Sequence, residues 1–121
     1  LAFFSAVKKT FRDAWGKKPK ESRLMHGAGI VALGFVMDAI CQRHRATKLL
    51  TEAQFARDLL PLRDFCRWTS GFWDFGPGQV VKWNELQNTP KDIQRLSHYL
   101  TIHYKQIVWE DRDSAQLPLV G

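Results

Sequence analysis

Apolar residues recur at helical spacing in the first segment of the chain, residues 2–15. Spacings of three and four residues place them on one side of a helix, and Lys8, Lys9 and Arg12 fall on the other. Gly16 follows as a typical helix stop. The pattern predicts a helix over residues 2–15. Its apolar stripe consists of Phe3, Phe4, Val7, Phe11, Ala14 and Trp15.

The longest apolar run covers residues 24–41. It predicts a helix that is capped by Ser22 and continues to about Arg43, with a break near residues 27–29 as an alternative. Because residues 28–37 are apolar on almost every side, we expect this helix to be buried at the centre of the domain. The run contains three glycines, which predict the close approach of a neighbouring helix. They are Gly27, Gly29 and Gly34.

Two later helices have recognisable starts. Residues 51–54 read as a capping box, and Pro61 predicts a kink or two short helices in the segment that follows. The last helix is capped by Asn88 or Thr89, with Pro90 at its first position. Its apolar stripe consists of Ile93, Leu96, Leu100, Tyr104 and Ile107.

Residues 68–83 differ from the rest because they are rich in aromatic residues and glycine. A Gly-Pro-Gly turn at residues 76–78 predicts a small hairpin or an ordered loop. The sequence therefore predicts a mainly α fold: a compact helical domain around a buried central helix, with a small aromatic β-hairpin or loop. We expect one domain over residues 1–109, belonging to a longer protein, and an extended tail over residues 110–121.

The chain has 121 residues, and 18 Lys and Arg against 12 Asp and Glu give it a formal charge of +6. This excess favours an anionic partner. Cys41 and Cys66 belong to no CxxC motif, so we interpret them as buried free thiols of a cytoplasmic protein. His26 and Asp38 interrupt the apolar run, so no membrane span is expected. We expect no metal site and no cofactor, since the histidines and cysteines lack the spacing of a zinc site.

The basic residues form two clusters in the sequence, and lysines and arginines of this kind hold a nucleic-acid backbone without reading bases. A solvated surface is the alternative for any one of them. The candidate nucleic-acid contacts are Lys8, Lys9, Arg12, Lys17, Lys18, Lys20 and Arg23 in the first cluster, and Arg43, Arg45 and Lys48 in the second.

The aromatic cluster has two interpretations. Its rings either cover one end of the helical core, which we favour, or form an exposed contact surface that stacks on unpaired bases or binds a partner protein. The candidate residues of that surface are Trp68, Phe72, Trp73 and Trp83, with Phe75 beside them.

Two single polar residues, His26 and Asp38, are candidates for a chemical role. His26 precedes glycines in the manner of an oxyanion loop, but the chain has no GxSxG nucleophile, so we expect its ring to bond a neighbour at a helix start. Asp38 is expected to pair with Arg43 or another donor, or to lie where the helix reaches the surface. A ligand contact or a general base is the alternative for Asp38.

Residues 22–38, SRLMHGAGIVALGFVMD, resemble the C-terminal helical region of the DGQHR-domain proteins, a group associated with DNA phosphorothioation. The segments at residues 11–15 and 86–93, with Leu96 and Tyr99-Leu100, fit the same pattern, so the resemblance covers residues 3–105. It implies a bacterial, DNA-linked role in modification, defence or regulation. The Asp-Gly-Gln-His-Arg motif is absent, and no catalytic residue is carried over.

These observations favour a non-enzymatic DNA-associated regulatory or nucleic-acid-binding domain. Two alternatives remain: a protein-interaction or homo-oligomerisation domain that uses the aromatic cluster, and the accessory part of an enzyme whose catalytic region lies upstream.

Overall fold

The computed structural model describes residues 2–45 and 48–109, and the predicted tail over residues 110–121 lies outside them. The fold is mainly helical with one small hairpin, which confirms the predicted fold class. Short 3-10 turns cover Leu60–Phe65 and Trp83–Glu85, and a π-helical turn covers Lys105–Trp109. The helices are α1 (Ala2–Thr10), α2 (Gly27–Arg43), α3 (Glu52–Leu59) and α4 (Pro90–Tyr104). The strands are β1 (Phe72–Asp74) and β2 (Val80–Lys82).

The core lies between two helix pairs, because α2 packs on α4 and α1 packs on α3. Helix α2 contributes Leu33, Val36 and Ile40 to this core. One of its faces is nevertheless open, so the expectation of burial on every side is wrong. The exposed apolar residues of that face are Ile30, Val31 and Phe35, with exposed fractions of 43%, 45% and 52%.

Helix α1 is shorter than its apolar stripe suggests. It ends at Thr10, and residues 11–16 form turns that keep Phe11 and Ala14 buried. The Thr10 hydroxyl donates to the carbonyl of Ala6, a local bond of the kind that competes with regular helix. Gly16, the predicted helix stop, has a φ of +82° and lies at the end of these turns, six residues beyond the end of α1.

Helix α2 begins at Gly27, so the predicted start at Ser22 is wrong. The alternative placed a break near residues 27–29, but the preceding residues 23–26 form turns and bends rather than helix. His26 caps α2, because its Nδ1 accepts a hydrogen bond from the amide of Ala28 at 3.3 Å. Gly29 packs directly on the backbone of residues 23 and 24. Gly29 therefore leaves room for the turn that precedes α2, whereas the sequence predicted the close approach of a neighbouring helix.

Alanine substitutions at Gly29 and Gly34 should have opposite effects on stability. A Cβ at Gly29 would overlap the carbonyl oxygen of Arg23, whereas a Cβ at Gly34 would meet open space. We expect G29A to lower the free energy of unfolding by about 1–3 kcal/mol. We expect G34A to raise it by up to about 1 kcal/mol through helix propensity. Urea denaturation of both variants checks this, and equal effects would contradict the close packing at Gly29.

The other helix starts follow the predicted chemistry. Thr51 and Gln54 form the capping box of α3, with bonds of 3.2 and 2.8 Å. Pro61 lies in the 3-10 turn after α3, so two short helical segments form where a break was predicted. Thr89, one of the two candidates, caps α4 by accepting from the amide of Asp92.

The hairpin forms as predicted. Strands β1 and β2 pair antiparallel, with Trp73 opposite Val81, and Gly76 and Gly78 supply the positive φ angles of the turn. Period-two alternation buries Trp73 and exposes Phe72. No helix within the described ranges is both long and apolar enough to cross a membrane.

Candidate nucleic-acid interface

Helix α1 exposes its basic residues while its apolar stripe packs on α3. Phe3 and Val7 are buried, and the Phe3 ring meets Phe55 of α3 edge-on at 5.2 Å. Lys8 and Lys9 lie outside this stripe and are exposed. The apolar stripe thus fixes the direction in which these cations point.

Two adjoining depressions border α1 and share Lys9 and Arg12. The first has a volume of about 460 Å³ and includes Arg63 in its lining, and the second, of about 490 Å³, includes Lys8 and Trp15. We call the two depressions together the basic groove. Arg63 comes from the 3-10 turn after α3, so the fold adds a cation that the sequence clusters did not include.

The basic groove is lined by four cationic side chains and two acidic ones, Asp13 and Glu52. Glu52 lies 3.4 Å from the Nζ of Lys9, with side-chain exposed fractions of 38% and 60%. A pair this exposed is worth little and exchanges easily for another anion. Lys8 and Arg12 form no ion pair within 4.0 Å among the described residues. The groove therefore keeps an excess of positive charge.

Lys17, Lys18 and Lys20 are exposed in the turns that follow α1. They too lack an ion pair within 4.0 Å in the described part of the chain. None of the three lines the basic groove. They add positive charge close to α1 in the sequence, but they do not form part of the walls of the basic groove.

Arg23 is not available as a nucleic-acid contact, because only 8% of it is exposed. Its guanidinium donates to the backbone carbonyls of Leu86 at 2.9 Å, Pro19 at 2.8 Å and Asn84. It also lies over the half-buried Trp83 ring, 5.9 Å from the centroid. Its role is structural, and burial lowers the pKa of the guanidinium.

The second basic cluster is only partly free. Arg43 donates to both carboxylate oxygens of Asp58, at 3.2 and 3.1 Å, so its charge is balanced within the fold. Arg45 and Lys48 are exposed. None of these residues lines the basic groove.

Asp58 is the centre of a polar cluster that the sequence analysis missed. Its side chain is 4% exposed, and it accepts from the Tyr104 hydroxyl at 2.6 Å and contacts the Nε2 of His44 at 3.0 Å. Burial and the neighbouring carboxylate raise the pKa of Tyr104. The sequence does contain a signal for a buried carboxylate, since Asp58 lies three residues after Phe55 and so falls on the buried stripe of α3.

The aromatic cluster belongs mainly to the core, so it does not form the candidate contact surface. Trp68 and Trp73 are 4% and 0% exposed and meet edge-on at 5.1 Å. Trp73 also packs against Phe75 and Tyr99. Phe72 alone among the four candidates is largely exposed, at 60%.

His26 and Asp38 have ordinary structural positions. The His26 ring bonds its neighbouring backbone at the start of α2, as expected, and burial together with Arg23 lowers its pKa. Asp38 lies on the exposed side of α2, as expected if the helix reaches the surface at this position. The expected partner Arg43 pairs with Asp58 instead.

Both cysteines are free thiols, as expected, but they are partly rather than fully buried by surface exposure. Burial raises the pKa of each thiol. A thiol with a raised pKa is a weak nucleophile, because the thiolate is the reactive form.

The chain was compared with protein-family models, with curated proteins and with solved structures, and none of them matches. The resemblance to the DGQHR-domain proteins stays a prediction.

Proposed function

We propose that this chain is a non-enzymatic nucleic-acid-binding domain that holds a phosphate backbone in the basic groove. The observation that carries the proposal is the convergence of Lys8, Lys9, Arg12 and Arg63 on two adjoining depressions. Cations gathered along a concave surface attract a polyanion more strongly than the same charges spread over a convex one. The DNA-linked role in modification or defence implied by the resemblance is part of this proposal.

Binding in this groove would depend on phosphates rather than on base sequence. Guanidinium groups such as those of Arg12 and Arg63 bind phosphate through two parallel hydrogen bonds. Lys9 would exchange its exposed partner Glu52 for a phosphate at little cost. Such contacts position a duplex and give tolerance of sequence.

The salt dependence of DNA binding tests the proposal. Replacing both Lys8 and Arg12 by glutamine should reduce the slope of log K against log[salt] by roughly 2 on duplex DNA, since each lost phosphate contact removes about 0.9. Fluorescence anisotropy with a labelled duplex between low and moderate salt measures the slope. The matched control replaces Lys82 and Lys91 by glutamine, which removes the same charge from exposed positions outside the groove.

The control should keep a slope within about half a unit of the unmodified chain, because neither lysine lies at a phosphate site in the proposal. If both double variants lose the same slope, net charge rather than the basic groove accounts for binding. Binding that is independent of salt would also refute the proposal.

Self-association is the second candidate function, and the face of α2 with Ile30, Val31 and Phe35 favours it over the aromatic cluster. Val31 and Phe35 lie four positions apart on one side of the helix, and Ile30 is the residue before Val31. Sedimentation separates the two candidates. A chain that is monomeric at all concentrations and binds DNA favours the basic groove, and a concentration-dependent dimer that ignores DNA favours self-association.

A further inference from the structure

A second cleft, with a volume of about 590 Å³, lies between the hairpin turn and α4. The hairpin side is formed by Asp74, Phe75 and Gln79. The α4 side is formed by Arg95, His98, Tyr99, Ile102 and His103. This volume lies within the usual range for sites that bind small ligands.

The walls of this cleft carry aromatic rings in fixed positions. Tyr99 meets Phe75 edge-on at 5.5 Å and His103 at 4.4 Å, and its hydroxyl donates to the carbonyl of Phe65 at 2.7 Å. His103 in turn stacks on the Phe65 ring at 4.4 Å. The rings are therefore held in place before any ligand arrives, which lowers the entropy lost on binding.

Apolar surface in the cleft remains open to solvent. Ile102 is 37% exposed, and Phe75 is only partly buried. Burial lowers the pKa of His103, which favours the neutral ring, and the ring forms part of the aromatic wall through its stacking on Phe65. A flat ring system would cover this surface and stack on these side chains.

The polar groups of the cleft divide by side. On α4, Arg95 and His98 are hydrogen-bond donors, and a guanidinium nitrogen of Arg95 lies 3.8 Å from a carboxylate oxygen of Asp92. On the hairpin, Asp74 offers carboxylate oxygens, one of which accepts from the amide of Gly76 at 3.0 Å. Gln79 offers both a donor and an acceptor. The cleft thus places donors for an anion on one side and groups that can pair with a heterocycle edge on the other.

We propose that this cleft binds a nucleoside monophosphate unit, with the base against Phe75 and Tyr99 and the phosphate near Arg95 and His98. The unit is either a free nucleotide or one nucleotide of a single strand, and both present the same ring and phosphate. The proposal does not depend on the basic groove, which has a separate lining.

An NMR titration of the 121-residue chain with AMP, adenosine and ribose 5-phosphate tests the proposal. We expect AMP to shift the amide signals of residues 74–79 and 95–103 and to bind more tightly than either fragment. Arg95→Gln should weaken AMP binding about 10-fold while leaving adenosine binding unchanged, because it removes only the charged contact to phosphate. Phe75→Leu should weaken AMP and adenosine alike, since it removes a ring and keeps apolar volume.

Lys91→Gln is the matched control for Arg95→Gln, because Lys91 is an exposed cation on the same helix outside the cleft. It should bind AMP as the unmodified chain does. No shift with AMP, or equal losses in R95Q and the control, would overturn the proposal.

Competition with a short oligothymidylate distinguishes the two sources of the nucleotide. Displacement of AMP by the oligonucleotide assigns the cleft to a single strand, and AMP binding without displacement assigns it to free nucleotides. The double variant of Lys8 and Arg12 should bind AMP normally, so failure of the basic groove and failure of this cleft are separately visible.

Discussion

Replacing Asp58 by alanine should lower the free energy of unfolding by about 3–5 kcal/mol, the cost of breaking a buried ion pair from one side. The substitution leaves the Arg43 guanidinium without its carboxylate, and it removes the acceptor of the Tyr104 hydroxyl. Both partners are largely shielded from water, so solvent does not replace the lost bonds. Denaturation in urea, followed by far-UV circular dichroism, measures the effect.

Asp38→Ala is the matched control for Asp58→Ala, because it removes the same carboxyl group from an exposed helical position. We expect its effect to stay within about 0.5 kcal/mol, as for most surface substitutions. A loss of stability in D58A no larger than in D38A would show that the cluster around Asp58 does not hold α2, α3 and α4 together.

Trp73→Ala should cost about 3–5 kcal/mol, the usual loss for a large aromatic side chain in a core. Trp73 is 0% exposed and touches Trp68, Phe75 and Tyr99, so its removal opens a cavity at the junction of hairpin and α4. Thermal or chemical denaturation detects the loss.

Phe72→Ala provides the comparison, since Phe72 is the preceding residue of the same strand but is 60% exposed. Its loss should cost less than about 1 kcal/mol, the range of strand propensities. Similar costs for the two variants would contradict the alternation of burial along β1.

The features that the sequence predicted well depend on residues close together in the chain. The capping box at Thr51, the cap at Thr89 and the turn around Pro77 each involve partners within a few positions. Such local interactions can be predicted from the sequence, because the interacting groups are neighbours in the chain and need no tertiary contacts.

The features that were missed depend on contacts between distant segments. The bonds of Arg23 reach residues more than 60 positions away, so a residue placed in a basic cluster by sequence turned out to be buried. Asp58 and Tyr104 are 46 positions apart. For the basic groove, sequence identified Lys8, Lys9 and Arg12, but Arg63 joins them only through the packing of α1 on α3.

The exposed face of α2 shows the limit of hydrophobic periodicity. An apolar helix was expected to be covered on every side, yet Phe35 and its neighbours are open. Periodicity reports which residues are apolar, whereas the number of neighbouring helices decides how many of them are covered.

The position of Arg23 also affects which segments of the chain unfold locally together. Its one side chain joins the segment before α2 to the segment before α4, through Pro19, Asn84 and Leu86. Neither segment can detach from the rest of the fold without breaking the hydrogen bonds from the Arg23 side chain to Asn84 and Leu86. Their amide protons should therefore exchange with solvent together, as one cooperative unit, although 60 residues of chain lie between them.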